Sequence, residues 1–150
     1  MPLDPGPTAG PSVGVLLFVA YRAMESRVLE AVVEAGFDDI TLAQARVFQR
    51  IAPGGTRLSE LAAAAQVTKQ TAGFLVDQLE SAGYVHRVAD PTDARARLVR
   101  IAPRGAAAAA VAARTVAQVE GEWAEHLGPR GWAGLRRSLL RLREVTDPFR

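Results

Sequence analysis

Residues 66–101 read QVTKQTAGFLVDQLESAGYVHRVADPTDARARLVRI, and this stretch decides the fold. It divides into a helix and a two-stranded hairpin that follows at once. The Thr68 hydroxyl can accept from the backbone N–H groups of a first helical turn, which makes it the expected N-cap. Ala72, Leu75, Val76 and Leu79 then recur at i, i+3, i+4 and i+7, one apolar stripe of an amphipathic helix. Gly83 stands where a left-handed C-cap is expected. Residues 84–88 and 97–101 are β-prone, and Ala89, Asp90, Pro91, Thr92, Asp93 and Ala94 between them are turn-forming and charged.

On the helix face opposite the stripe, at about 100° per residue, stand Gln70, Phe74 and Asp77, bordered by Lys69, Thr71, Gly73 and Gln78. A helix that opens Thr-Lys-Gln-Thr presents amide and hydroxyl groups near its N-terminus. Such groups read base edges in a major groove, and the N-terminus itself favours a phosphate. The hairpin adds Arg87, Arg95, Arg97 and Arg100, cations on a protruding ribbon that suit a minor groove or a phosphate backbone. Pattern alone favours the plainer reading of a solvated helix beside a solvated hairpin.

Particular segments shift that balance. They are RLSELA at 57–62, VTKQT at 67–71, LVDQLE at 75–80, GYV at 83–85 and DPTDAR at 90–95. Through them residues 41–105 resemble the DNA-binding lobe of the MarR (multiple antibiotic resistance regulator) family of winged helix-turn-helix repressors. The Asp-x-Arg of the wing, followed by alternating apolar residues and a Gly, is the most specific match. With the helix face and the wing read above, the expected DNA contacts are Ser59, Thr68, Lys69, Gln70, Thr71, Arg87, Asp93, Arg95 and Arg97, and Phe74 is expected either to meet a thymine methyl or, on a rotated helix, to pack under the wing as core. Two departures stand out. The family often has Ser and Arg where this chain has Gly73 and Phe74, and it usually has Thr where this chain has Ala102.

The chain has 150 residues, 49% hydrophobic and 23% charged, which fits one domain or two small lobes sharing a packed core. Net charge is only +2, and Lys69 is the only lysine. Clustering says more than the total, because five arginines fall between Arg87 and Arg104. The absence of cysteine excludes disulfides, thiolate metal sites and cysteine redox sensing. His86 and His126 lie far apart and form no ligand-spaced cluster, so no metal site and no cofactor is expected. Residues 12–20 are apolar but too short to span a bilayer, and a cytoplasmic protein is expected.

The chain before and after the quoted stretch reads as helices. Residues 1–11, with four prolines and two glycines, read as an irregular arm. Ser12 caps an expected helix over 12–35 whose seam is Leu17, Tyr21, Met24, Val28, Ala31 and Ala35. Thr41 and Gln44 form a capping-box pair that opens a helix to about Ala52, with Ala45, Phe48 and Ile51 inward. Residues 56–58 are short enough for a third strand, and Ser59 is placed to cap a short helix over 60–65. Pro103 fits the first turn of a long helix. The alanine run 106–110 has high helix propensity and asks for no special role. A helix over 103–127 is roughly 37 Å long, and Gly128, Pro129 and Gly131 interrupt it before a last helix carrying Trp132, Leu135, Leu139 and Leu142.

The expected fold is therefore mainly α with a small β-hairpin wing. A winged helix-turn-helix lobe over 41–101 is joined to a helical dimerisation lobe over 12–35 and 103–146. Helices this long project beyond so small a lobe, and either they cover one another within the chain or a second copy covers them. The resemblance implies the homodimer, and two-fold symmetry suits a palindromic double-stranded DNA site. It also implies a small aromatic or phenolic effector between the lobes, for which Phe18, Tyr21, Arg22 and Phe48 are the candidate lining. The leading expectation is a dimeric, sequence-specific, ligand-responsive repressor. The alternative is a winged-helix protein–protein interaction module with Phe74 as its anchor. No nucleophile–base arrangement, phosphate-cradling loop or metal motif supports an enzyme.

Overall fold

The computed structural model describes residues 10–149, so the arm expected over 1–11 lies almost wholly outside the described residues. Five helices and three strands follow in the order α1 (Val13–Glu34), α2 (Leu42–Phe48), β1 (Thr56–Arg57), α3 (Leu58–Ala65), α4 (Lys69–Ser81), β2 (Val85–Asp90), β3 (Asp93–Ile101) and α5 (Pro103–Thr146). The mainly helical winged helix-turn-helix fold expected from sequence is the one observed.

Local chemistry accounts for most of the boundaries. The Ser12 hydroxyl accepts from the Val15 N–H at 3.3 Å and starts α1. Thr41 and Gln44 form the reciprocal capping box at the head of α2: the Gln44 N–H donates to the Thr41 hydroxyl at 3.2 Å, and the Gln44 side-chain oxygen accepts from the Thr41 N–H at 3.1 Å. At α4 the Thr68 hydroxyl accepts from the Thr71 N–H at 3.1 Å, as its position predicts. Gly83, at φ +83°, takes the left-handed conformation that ends the segment. Ala102 caps α5 without a side-chain bond, and Pro103 fills the first turn, where a missing N–H is harmless.

The lobe packs α3 and α4 against a three-stranded antiparallel sheet of order β1-β3-β2, and α2 packs on those two helices. Thr56 pairs with Val99 and Arg57 with Leu98; Val85 pairs with Ile101 and Arg87 with Val99. Leu61, Val76, Leu79, Tyr84, Val85 and Val99 fill the centre and are fully buried. The stripe read on α4 is buried as expected, at Ala72, Leu75, Val76 and Leu79.

Several boundaries differ from the sequence reading. Helix α2 stops at Phe48, four residues short of Ala52. The chain tightens there through bonds from Arg50 N–H to Val47 O and from Ile51 N–H to Phe48 O, both at 3.1 Å. Val47 and Gln44 turn to the core, and Ala45 and Phe48 are only half-buried. Gln44 is buried because its amide donates to the Gln78 carbonyl at 3.0 Å, a partner that local pattern does not disclose. Ser59 does not cap α3. The helix begins at Leu58, since Arg57 is held extended by its strand pairing, and Ser59 sits exposed in the first turn. The wing is longer than read: β2 runs to Asp90 and β3 starts at Asp93, leaving Pro91 and Thr92 as the loop. The Asp90 carboxylate makes this possible by accepting from the Thr92 N–H at 2.8 Å, the Thr92 hydroxyl at 2.7 Å and Arg57 at 2.7 Å.

Outside the lobe, α1 and α5 pack on each other. Val32 and Leu29 carry the inner face of α1 with Val28, while Ala35 is exposed. The helix is turned so that larger side chains are buried, which removes more apolar area from water than the two alanines of the expected seam would. Arg27 reaches across to Glu122 at 2.9 Å. Helix α5 contains one non-helical residue, Gly128, at φ 75° and ψ 165°, within the interruption expected there. At its start α5 touches the lobe closely: a Cβ on Gly105 would lie 2.1 Å from the Tyr84 carbonyl oxygen. Beside that contact the Arg104 guanidinium donates to Asp39 at 2.9 and 3.0 Å and lies 4.4 Å over the Tyr84 ring. The Tyr84 hydroxyl also donates to Asp39. Burial first, and then the Asp39 carboxylate, push the Tyr84 hydroxyl up to about 12.

Candidate nucleic-acid interface

Helix α3, the turn at Gln66 and Val67, and α4 form a helix-turn-helix. Gln66 makes the turn in the left-handed conformation, at φ 58°. The head of α4 then projects outward, with Thr68, Lys69, Gln70 and Thr71 all exposed. One further turn along the same face is Phe74, 63% exposed. The core position that a rotated helix would give it is thereby excluded, and the angular placement of Gln70 beside it stands. Ser59 is exposed in the first turn of α3.

The exposed groups of α4 are not equally free. The Thr68 hydroxyl caps the helix and lies 2.9 Å from the Thr71 hydroxyl, so this pair is partly committed. Asp77 and Glu80 are both engaged by Arg87, at 2.7 and 2.8 Å, and the Glu80 carboxylate accepts the Arg87 backbone N–H as well. Gln78 is bonded to Gln44. Among the described residues, Lys69, Gln70 and Phe74 are the α4 side chains on this face without such a tie.

The wing sorts its cations in the same way. Arg87 is held on α4, and Arg57, outside the hairpin, braces Asp90 at the wing's tip. Arg100 donates to the Gly54 carbonyl at 3.3 Å. Arg95 and Arg97 are exposed and make no ion pair among the described residues. The Asp93 carboxylate accepts from the Arg95 backbone N–H at 3.0 Å, which fixes the backbone from which Arg95 projects. The arrangement presents a helix N-terminus, one lysine, one amide and one aromatic ring beside a ribbon with two unpaired guanidiniums. Such a set can meet phosphates and base edges together.

Sequence reasoning missed Arg57 and Asp90 as the wing's brace. The only signal for them was a charge in a short strand and a charge in a turn, 33 residues apart. The Asp90 carboxyl is held down at about 2, first by the Thr92 N–H, then by the Thr92 hydroxyl and Arg57.

The candidate effector residues are divided by the structure. A cavity of about 220 Å³ lies between α1, α2 and α5, and Tyr21 and Phe48 line it. Phe18 and Arg22 are not among its walls: Phe18 is 62% exposed and Arg22 pairs with Glu25. Glu25, Arg46 and Gln49 line it instead and were not read from sequence. Among the described residues no cluster of His, Cys, Asp and Glu could hold a metal, and no helix is long and apolar enough to cross a membrane.

Comparison with known proteins places this geometry. The model of the MarR family matches residues 38–96. The transcriptional regulator Tm0710 from Thermotoga maritima is 25% identical, covering 89% of this chain and 93% of that one, with a TM-score of 0.59. MarR from E. coli, in its apo form, is 24% identical over 89% of this chain and 97% of that one, with a TM-score of 0.66. CouR from Rhodococcus jostii RHA1, solved bound to p-coumaroyl-CoA, is 22% identical over 93% and 94%, with a TM-score of 0.71. No curated protein sequence matches the chain significantly.

Proposed function

From a chain whose winged-helix lobe is that of the MarR family, we propose a homodimeric, sequence-specific DNA-binding transcriptional regulator, acting in the cytoplasm as a ligand-responsive repressor. The observation that carries the DNA reading is the pairing of the α4 head with the wing. Lys69 and Gln70 stand exposed on one, Arg95 and Arg97 on the other, and the four have no ion-pair or side-chain tie among the described residues. Ser59, Thr68, Thr71, Phe74, Arg87 and Asp93 complete the proposed contact surface, the last two by holding the wing in place.

Dimerisation is proposed through residues 12–35 and 103–146. The first half of α1 exposes Val13, Leu16, Phe18 and Val19, and the far part of α5 exposes Leu139, Leu140 and Leu142. That much apolar surface on two flanking helices calls for a cover, and a second copy supplies it with the two-fold symmetry that a palindromic operator requires. Residues 41–101 are then the reading lobe, and the cavity between α1, α2 and α5 is the effector site.

The alternative, an interaction module anchored by Phe74, draws on the exposure of that ring. One experiment separates the two. Duplexes selected from a random pool are titrated by fluorescence anisotropy at several salt concentrations. A regulator binds a subset of duplexes with affinity that falls log-linearly with salt. An interaction module enriches no sequence and binds no duplex at moderate salt.

A further inference from the structure

The alanine-rich start of α5 has a consequence that its sequence conceals. Ala108, Ala109, Ala112 and Ala113 fall on one face of the helix, and all four border the cavity of about 220 Å³. Opposite them stand Val28, Leu29 and Phe48. Larger side chains on this face of α5 would fill the space, and four methyl groups leave it open. An engineered void of about 150 Å³ with apolar walls stays dry and takes up benzene. This one is somewhat larger, and Ala113 on its wall is exposed.

The polar groups at its wall are Tyr21, Glu25, Arg46 and Gln49, and they satisfy one another. Arg46 donates to Glu25 through Nε at 2.8 Å and through its terminal nitrogen at 2.9 Å. Arg22 donates to the same carboxylate. Gln49 donates to the Tyr21 hydroxyl at 3.0 Å. A bidentate guanidinium–carboxylate pair is the strong form of this contact, and an incoming anion would have to displace Glu25 to reach Arg46. Arg46 first, then Arg22, hold the Glu25 carboxyl at about 2, so it stays charged at any ordinary pH.

We propose that the cavity takes a neutral, apolar molecule the size of a substituted benzene ring, and that Glu25 excludes carboxylates by occupying Arg46. This rests on the reading of the cavity as an effector site, but binding to it is measured without DNA. Failure of the DNA reading would therefore leave the measurement standing.

The test is calorimetric titration of the full chain with two compounds of matched shape, p-methylacetophenone and p-toluate. The ketone is expected to bind at least tenfold more tightly. Ala112→Leu fills the void and should weaken the ketone by more than tenfold while the melting temperature holds or rises. Glu25→Gln frees Arg46 and should strengthen p-toluate by roughly tenfold. Equal or tighter binding of p-toluate to the unaltered chain overturns the proposal. So does ketone binding that survives Ala112→Leu, or no binding of the ketone at all.

Discussion

Arg87, on the first strand of the wing, donates to Asp77, on the outer face of α4, at 2.7 Å. The same guanidinium reaches Glu80 at 2.8 Å, and the Arg87 backbone N–H donates to the other Glu80 oxygen. The wing and the proposed reading helix are thus tied by one side chain that neutralises two carboxylates. Without it both carboxylates would face an approaching phosphate backbone.

Arg87→Ala is accordingly expected to weaken binding to every duplex, whatever its sequence. Loss of these ion pairs, whose carboxylates are solvent-exposed, should lower folding stability by only about 1 kcal/mol. Adding Asp77→Asn should recover part of the lost affinity, because one of the two uncovered charges is then gone. Anisotropy titrations of the single and double variants decide this, and a double variant no better than the single would refute it.

Arg95 makes no ion pair among the described residues, and its backbone is fixed by Asp93. Arg95→Ala should leave the melting temperature unchanged. The slope of log affinity against log salt should fall by about one unit, the loss of one phosphate contact. An unaltered slope would take the wing tip out of DNA binding.

Phe74 is 63% exposed, so Phe74→Ala should shift folding stability by less than about 0.5 kcal/mol. An exposed ring on a reading helix suits a thymine methyl. Replacing single thymines of a selected duplex by deoxyuridine should reveal one position per half-site where affinity drops about fourfold, the worth of one buried methyl. That drop should vanish in Phe74→Ala. A drop that persists in the variant would assign the methyl to another side chain.

Leu139 lies on the exposed apolar face of α5. Leu139→Glu should halve the mass seen by light scattering and abolish tight binding to a palindrome. The unaltered chain should melt at a temperature that rises with its concentration, as mass action requires of a dimer. A concentration-independent melting point with a monomeric mass would exclude the assembly.

Acid should loosen the wing. The Asp90 carboxyl is lowered from 3.8 to about 2 by the Thr92 N–H, the Thr92 hydroxyl and Arg57. A depressed folded-state value contributes stability above the unfolded value, and that contribution fades as pH falls from about 3.8 through 2. Glu25, lowered from 4.5 to about 2, acts in the same direction. Melting temperature should therefore fall below about pH 4.5, less steeply for Asp90→Asn. Identical acid profiles for the variant and the unaltered chain would contradict this.

What sequence made legible was whatever depends on neighbours in the chain. The Thr68 and Ser12 caps, the Thr41–Gln44 box, the left-handed Gly83 and the α4 stripe are all local, and all are observed. The short strand at Thr56 was legible too, though its pairing with Val99 on the hairpin is long-range. What escaped depends on partners brought close only by folding. Gln44 is buried for the sake of Gln78, 34 residues on, and Arg46 meets Glu25 across 21. The wing outran its β-prone core because Arg57 and Thr92 satisfy Asp90. In the proposed site, the exposed positions of α4 followed from helical angle, but which of its polar groups are already occupied did not.

The contact between Gly105 and the Tyr84 carbonyl gives the start of α5 a mechanical character. The backbone touches the lobe where no side chain fits, so this point cannot slide and serves as a fulcrum. From this fulcrum to Gly128, where the helix breaks, is roughly three times the distance from it to Ala112 on the cavity face, at 1.5 Å per residue. A tilt that moves Ala112 by a few tenths of an ångström therefore displaces the far end by roughly three times as much. The alanine face that borders the cavity lies next to the pivot, on the same arm of this lever as Gly128. Whatever occupies the cavity pushes where a small movement is most amplified, and in the proposed dimer that movement sets the separation of the two reading helices.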